Sequence, residues 1–236
     1  MLDFKEIYFI ELSENRLFID SLMYALWVAA CTLFFSTLLF LSIYYLLFLL
    51  HFEFQKNISF FVFYFQIPLF LPYALVAMLF FLIFFPMGFI SDFIPFLLGS
   101  SSAIIIAYSY KVSAFLLFIS LPNLLHVKPN EIKLHRLYTD SLKSFFIKIV
   151  LRRNLKTYML GSFIVFAYIF NAYEIPYILG STLEKMPAVL VYEQLSQFGM
   201  NSMQKAYLMS FAYFMLTLLF LPIFYLFYYA FKRILS

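Results

Sequence analysis

Lys111 stands in the middle of a long apolar run, "AIIIAYSYKVSAFLLFIS". An ammonium at mid-bilayer depth costs about 2.5–3.5 kcal/mol on insertion scales, so such a residue turns towards protein or water. Two readings follow. Lys111 lines a polar path together with Tyr108, or its alkyl stem carries the charge out to the nearer interface. A second group lies in "YEIPYILG", where Pro176 ends or kinks a helix and Gly180 permits the turn after it. Glu174 in the same stretch either contacts a solute or its carrier, or is a solvated charge at a helix end. This is the chemistry of binding and passage. Other chemistry has little to work with. His51, His126 and His135 are scattered without H-x-x-x-H or carboxylate spacing, so no metal site is expected. Cys31 is alone, which excludes a disulfide within the chain. None of the five glycines precedes a lysine, so there is no phosphate-cradling G-x-x-x-x-G-K-[ST] loop.

The elements that must position these residues are set by composition. The chain has 236 residues, 65% of them hydrophobic and 12% charged. An average soluble domain carries about 25% charged residues. So much apolar surface cannot fit in one core, and the excess must face lipid. Long apolar runs without alternation predict helices rather than barrel strands. Five spans are expected, at about 21–50, 59–87, 102–125, 155–175 and 206–231, with "PFLLGSSS" a candidate re-entrant piece or sixth span. Pro68, Pro72 and Pro222 read as helix kinks. The start, "MLDFKEIYFIELSENRLFID", lacks the basic n-region of a cleavable signal peptide.

Basic residues orient the spans. One side would hold Lys56, Lys128, Lys133, Arg136, Lys143, Lys148, Arg152, Arg153, Lys156, Lys232 and Arg233, eleven of the sixteen. The other side would hold Lys5, Arg16, Lys185 and Lys205. This places the C-terminus in the cytoplasm and the N-terminus outside.

The long basic insert, residues 126–154, carries the helical pattern. Leu134, Leu137, Tyr138, Leu142, Phe145, Phe146 and Ile149 fall at gaps of three and four, on one face. Lys133, Arg136, Asp140 and Lys143 fall on the other. Either the helix lies in anionic headgroups, or its apolar ridge docks in a partner's groove.

The insert resembles the cytoplasmic loop of permeases of binding-protein-dependent ABC importers, whose pattern is E-A-A, three residues, G, nine residues, I-x-L-P. "IVLR" at 149–152 matches its end; Thr139 then falls on the Gly position and Lys133, Leu134 and His135 on E-A-A. Asp140-Ser141 stands where that family often has Ala-Ser, and Phe146 where it has an apolar residue. The Glu, both Ala, the Gly and the Pro are replaced. "SLMYALWVAACTLFFSTLLFLSIYYLL", "IAYSYKVSAFLLFISLPNLLHVKPNEI", "FNAYEIPYILG" and "AVLVYEQLSQFGMNSMQKAYLMSFAYF" are similar to that family's flanking stretches in order, covering Asp20 to Phe231.

The resemblance implies an all-α integral membrane protein: a single five-span permease domain of a prokaryotic inner membrane, with a coupling helix between spans three and four. It implies a separate ATPase subunit, a second permease (identical or different), an extracytoplasmic solute-binding protein and surrounding lipid, with no nucleic acid and no cofactor held by this chain. Lys133, Leu134, His135, Arg136, Leu137, Thr139, Asp140, Lys143, Phe145 and Phe146 would couple to the ATPase. Leu134, Leu137, Phe145 and Phe146 would form the ridge; Arg136, Asp140 and Lys143 would form the rim. Tyr108, Lys111, Glu174, Pro176 and Gly180 would line the path. Thr139 is a poor substitute where the family's Gly permits a tight bend, and Arg152 for Pro removes a helix-start signal. The chain itself would not be an enzyme. "YEIPYILG" looks more like permeases for polyamines, ferric iron, thiamine and phosphonates than like those for sugars. Two other classes stay open: a non-transporting subunit of a membrane complex, and a membrane-embedded lipid-modifying enzyme. The second would need Asp, His or Arg clustered at one membrane face.

Overall fold

A computed structural model describes residues 16–52, 59–84, 99–138, 141–181, 184–197 and 199–234. Among them the chain is mostly helical and contains no strand. The helices are α1 (Arg16–Phe52), α2 (Ser59–Phe70), α3 (Tyr73–Phe84), α4 (Ser101–Leu125), α5 (Pro129–Tyr138), α6 (Leu142–Phe145), α7 (Arg152–Phe170), α8 (Glu174–Leu179), α9 (Pro187–Ser196), α10 (Met200–Leu219) and α11 (Leu221–Ile234), with a π-helical turn over Phe146–Leu151.

Three of these stretches are long and apolar enough to cross a membrane: Arg16–Phe52, Ser101–Leu125 and Met200–Arg233. The expected second span is broken. The chain turns by 94° between Phe60–Phe70 and Tyr73–Phe84, so α2 and α3 make a fourth crossing only if counted together. Pro72 at the break has no N–H to continue the ladder. α7 is not among the three, because its first turns hold Arg152, Arg153, Asn154, Lys156 and Thr157. "PFLLGSSS" lies outside the described residues except for its last turn, where Gly99 (φ 76°) donates its N–H to the Leu179 carbonyl. The fold is that of a helical membrane protein. The large exposed side chains fit: Trp27, Phe34, Phe63, Leu160, Phe214 and Leu226 among others face outward, as lipid-facing residues do.

The described chain packs as two units. The first holds Met1–Thr32, Pro72–Tyr108 and Phe166–Phe220. In it α3 packs on α8, and α9 forms a hairpin with α10. Ser21 and the Tyr213 hydroxyl share a hydrogen bond of 2.8 Å, and Phe18 stacks on the Tyr213 ring. α7 stops at Phe170, earlier than expected. Asn171 caps that end, its amide donating to the Ala167 carbonyl and to Thr217 Oγ1, both at 2.9 Å. Pro176 therefore does not end the helix; it sits inside the short α8. Gly180 has an ordinary φ of −74°. It is needed for a different reason: a Cβ there would run into the Pro176 carbonyl, to which the Gly180 N–H donates at 2.9 Å.

The second unit holds Leu33–Leu71, Ser109–Val165 and Leu221–Ser236. Its centre is the contact between α4 and α7. Gly161 lets the helices approach until a Cβ would overlap the Ile119 side chain. One turn away lies a polar layer. Asn123 donates to Asn154 Oδ1 at 2.9 Å and to Thr157 at 3.0 Å; Asn154 donates to Ser120 Oγ at 3.0 Å. The Tyr44 hydroxyl joins through the Ser120 carbonyl at 3.3 Å. Amides in an apolar interior must be satisfied this way.

Candidate functional sites

Tyr108 and Glu174 come together in the first unit through two residues that the sequence did not single out. Tyr168 on α7 donates to Glu174 Oε2 at 3.1 Å. Tyr73, the first residue of α3, hydrogen-bonds to Tyr168, the two rings tilted at 32° with centroids 4.6 Å apart. Tyr108 lies 6.3 Å from the Tyr73 ring and 6.5 Å from the Tyr168 ring. Its ring is fully buried, and its hydroxyl has no hydrogen-bond partner. The Glu174 side chain is exposed. The cluster thus offers three phenols and a carboxylate, one phenolic donor being unsatisfied. It can hold a polar or cationic group by hydrogen bonds and ring faces. No spacing rule joins positions 73, 108, 168 and 174; only the packing of α3, α4, α7 and α8 does.

Lys111 belongs to the second unit. Its residue is 4% exposed, so the side chain is buried within the protein. Nζ donates to the Leu71 carbonyl, at the break between α2 and α3. Unwound carbonyls at a broken membrane helix need donors, and Lys111 is one. The charge thus ties α4 to the break between α2 and α3.

The basic insert, also in the second unit, is two pieces rather than one helix. α5 covers its first part. Thr139 and Asp140 lie outside the described residues, as do the side chains of Arg136 and Leu137. Ser141 then caps a new helix, its hydroxyl accepting from the Ser144 N–H at 3.3 Å. That helix runs without interruption through α6 and the π turn into α7. The π winding changes the inward face. Phe145, Phe146 and Val150 are buried, and Ile149, expected inside, is only half-buried.

Phe145 and Phe146 are therefore not free to dock on a partner. Phe146 meets Tyr45 at 4.9 Å and Phe48 at 5.3 Å, and Phe145 stacks on Phe48 at 6.0 Å. Their apolar area is used against α1. Lys133, Leu134 and Lys143 are exposed, Leu134 at 59%. His135 turns inward, 5.2 Å from the Phe145 ring. Glu131 on α5 accepts from Arg153 at 2.9 Å, which ties α5 to the first turn of α7. Among the described residues no three His, Cys, Asp or Glu gather as metal ligands.

Helices, lipid-facing apolar surface and buried polar layers define the class as a helical membrane protein. Comparison with known protein families and with curated proteins found no match.

Proposed function

We propose that the chain is the membrane-spanning permease subunit of an ABC importer in a prokaryotic inner membrane. It couples to a separate ATPase through the 128–154 segment. The observation that carries this reading is the attachment of α5. This polar helix stands between α4 and α7, tied to the base of α7 by Glu131–Arg153 and by His135 against Phe145. Lys133 and Leu134 face outward from it. A push on that face passes into α7, because the junction is packed on α1 through Phe145 and Phe146. A coupling lever needs both properties.

On this reading the chain makes five crossings, α2–α3 counting as one broken span and α7 as the fourth. The N-terminus is outside and the C-terminus cytoplasmic. A second permease completes the path and a solute-binding protein feeds it. ATP is hydrolysed by the partner subunit alone. The cluster of Tyr73, Tyr108, Tyr168 and Glu174 contacts the solute, and its ring faces and carboxylate favour a cationic one.

The test is an affinity pull-down of the tagged chain in mild detergent, with mass spectrometry of what accompanies it. The expected result is an ATPase subunit with a phosphate-binding loop, plus a second permease or a self-pair. Lys133→Glu with Leu134→Asp should release the ATPase from a chain that still elutes as folded. A folded preparation that never brings an ATPase would overturn the proposal.

A further inference from the structure

A cleft in the second unit is walled by α1, α7 and α11, with a volume of about 390 Å3. That lies within the roughly 300–1,000 Å3 range of small-molecule pockets. Its α11 wall is an aromatic stripe, Phe224, Phe227 and Phe231, at spacings of three and four. The wall made by the end of the π turn and α7 runs from Leu151 to Ser162, a length of ~16 Å at about 1.5 Å per residue. The walls are almost wholly apolar. At the far end Ser162 is buried, and its hydroxyl has no hydrogen-bond partner.

The two ends of the cleft differ in charge. Phe224 meets Phe163 at 5.5 Å, just beyond Ser162. The α7 wall extends from there only towards Leu151, so Phe231, with Lys232 and Arg233 after it, lies at the Leu151 end. On α7, Arg152 shares a stripe with Leu155 and Met159, and Lys148 lies one turn before it. Lys148, Arg152, Lys156, Lys232 and Arg233 are all exposed. Residues 33–52, 142–165 and 221–234, which supply the three walls, contain no Asp or Glu. The cleft is mostly apolar, with Thr37, Asn154 and Tyr158 among its lining, and the basic residues of its walls gather towards one end, where Glu131 pairs with Arg153 alone.

We propose that this cleft binds an anionic phospholipid. One acyl chain lies along the Phe224–Phe227–Phe231 stripe, and the phosphate sits against Lys148 and Arg152 with the α11 terminus opposite. Basic clefts between membrane helices select anionic headgroups in this way, each cation near the surface contributing about 1 kcal/mol. The site stands whether or not the chain couples to an ATPase.

The test is native mass spectrometry of the full chain titrated with phosphatidylglycerol or phosphatidylcholine. The expected result is one phosphatidylglycerol retained at least tenfold more tightly than phosphatidylcholine. Lys148→Gln with Arg152→Gln, on exposed side chains, should weaken phosphatidylglycerol roughly thirtyfold and leave phosphatidylcholine unchanged. Ser162→Phe, which fills the apolar end, should weaken both lipids. Equal retention of the two lipids, indifference to the charge variant, or a stable dimer that excludes lipid from the cleft would each overturn the proposal.

Discussion

Replacing Asn154 with Leu tests the polar layer that joins α4 to α7. The Asn154 amide accepts from Asn123 and donates to Ser120. Leu keeps the branched shape and heavy-atom count, though it is bulkier, and removes both bonds. Interhelical hydrogen bonds in membrane proteins contribute about 0.6 kcal/mol on average and about 1.7 at most. Two of them give ~1.2 kcal/mol, with an upper bound of ~3.4. The lower part of that range is expected, because neither partner is abandoned. Asn123 still reaches Thr157, and the Ser120 hydroxyl can turn to a helix carbonyl. Equilibrium unfolding in mixed micelles of rising SDS content measures the loss. A double-mutant cycle with Asn123→Leu isolates the shared bond, with an expected coupling of about 0.6–1.7 kcal/mol. A coupling within about 0.3 kcal/mol of zero would show that the two amides do not meet, and the packing of α4 on α7 would have to be redrawn.

Leu134→Asp should leave the detergent-solubilised chain as stable as the wild type. Phe146→Asp should cost about 3 kcal/mol or more through a buried unpaired carboxylate, and thermal unfolding followed by gel filtration separates the two. Lys111→Glu sets a carboxylate against the Leu71 carbonyl and should abolish the monodisperse peak. Lys111→Arg retains a donor and should preserve it; equal behaviour of the two variants would refute the anchoring role. Gly161→Leu should lose about 1–3 kcal/mol by overpacking against Ile119, and Gly161→Ala less, in the same unfolding assay. If the chain is a permease as proposed, Tyr108→Phe should raise the KM for solute in vesicles holding the assembled importer, with little effect on folding; an unchanged KM would remove that hydroxyl from the proposed path.

Much of the architecture was legible in the sequence, because a bilayer leaves the chain few choices. Apolar runs of some twenty residues must be helices when no water can satisfy the backbone. The helical nature of the chain and its first, third and last apolar helices were therefore readable from composition alone. Pro72 and Pro222 marked breaks for a reason equally local, the missing N–H. The sequence also located the basic insert and the polar residues worth following.

Tertiary structure decided what those residues do. Periodicity put Phe145 and Phe146 on an apolar face but could not say which neighbour that face meets, and α1 took it. A π turn then exchanged Ile149 for Val150, a one-residue shift that a 3.6-residue template cannot foresee. Lys111 was readable as an unusual charge in an apolar run. Its partner is a carbonyl forty residues away, freed only because α2 and α3 bend apart. Tyr73, Tyr108, Tyr168 and Glu174 carry no motif, since their meeting depends on the packing of four helices. Local rules operate over a turn or two of chain; the Tyr73–Tyr168, Lys111–Leu71 and Phe48–Phe145 contacts join residues forty or more positions apart, and only the fold brings those into range.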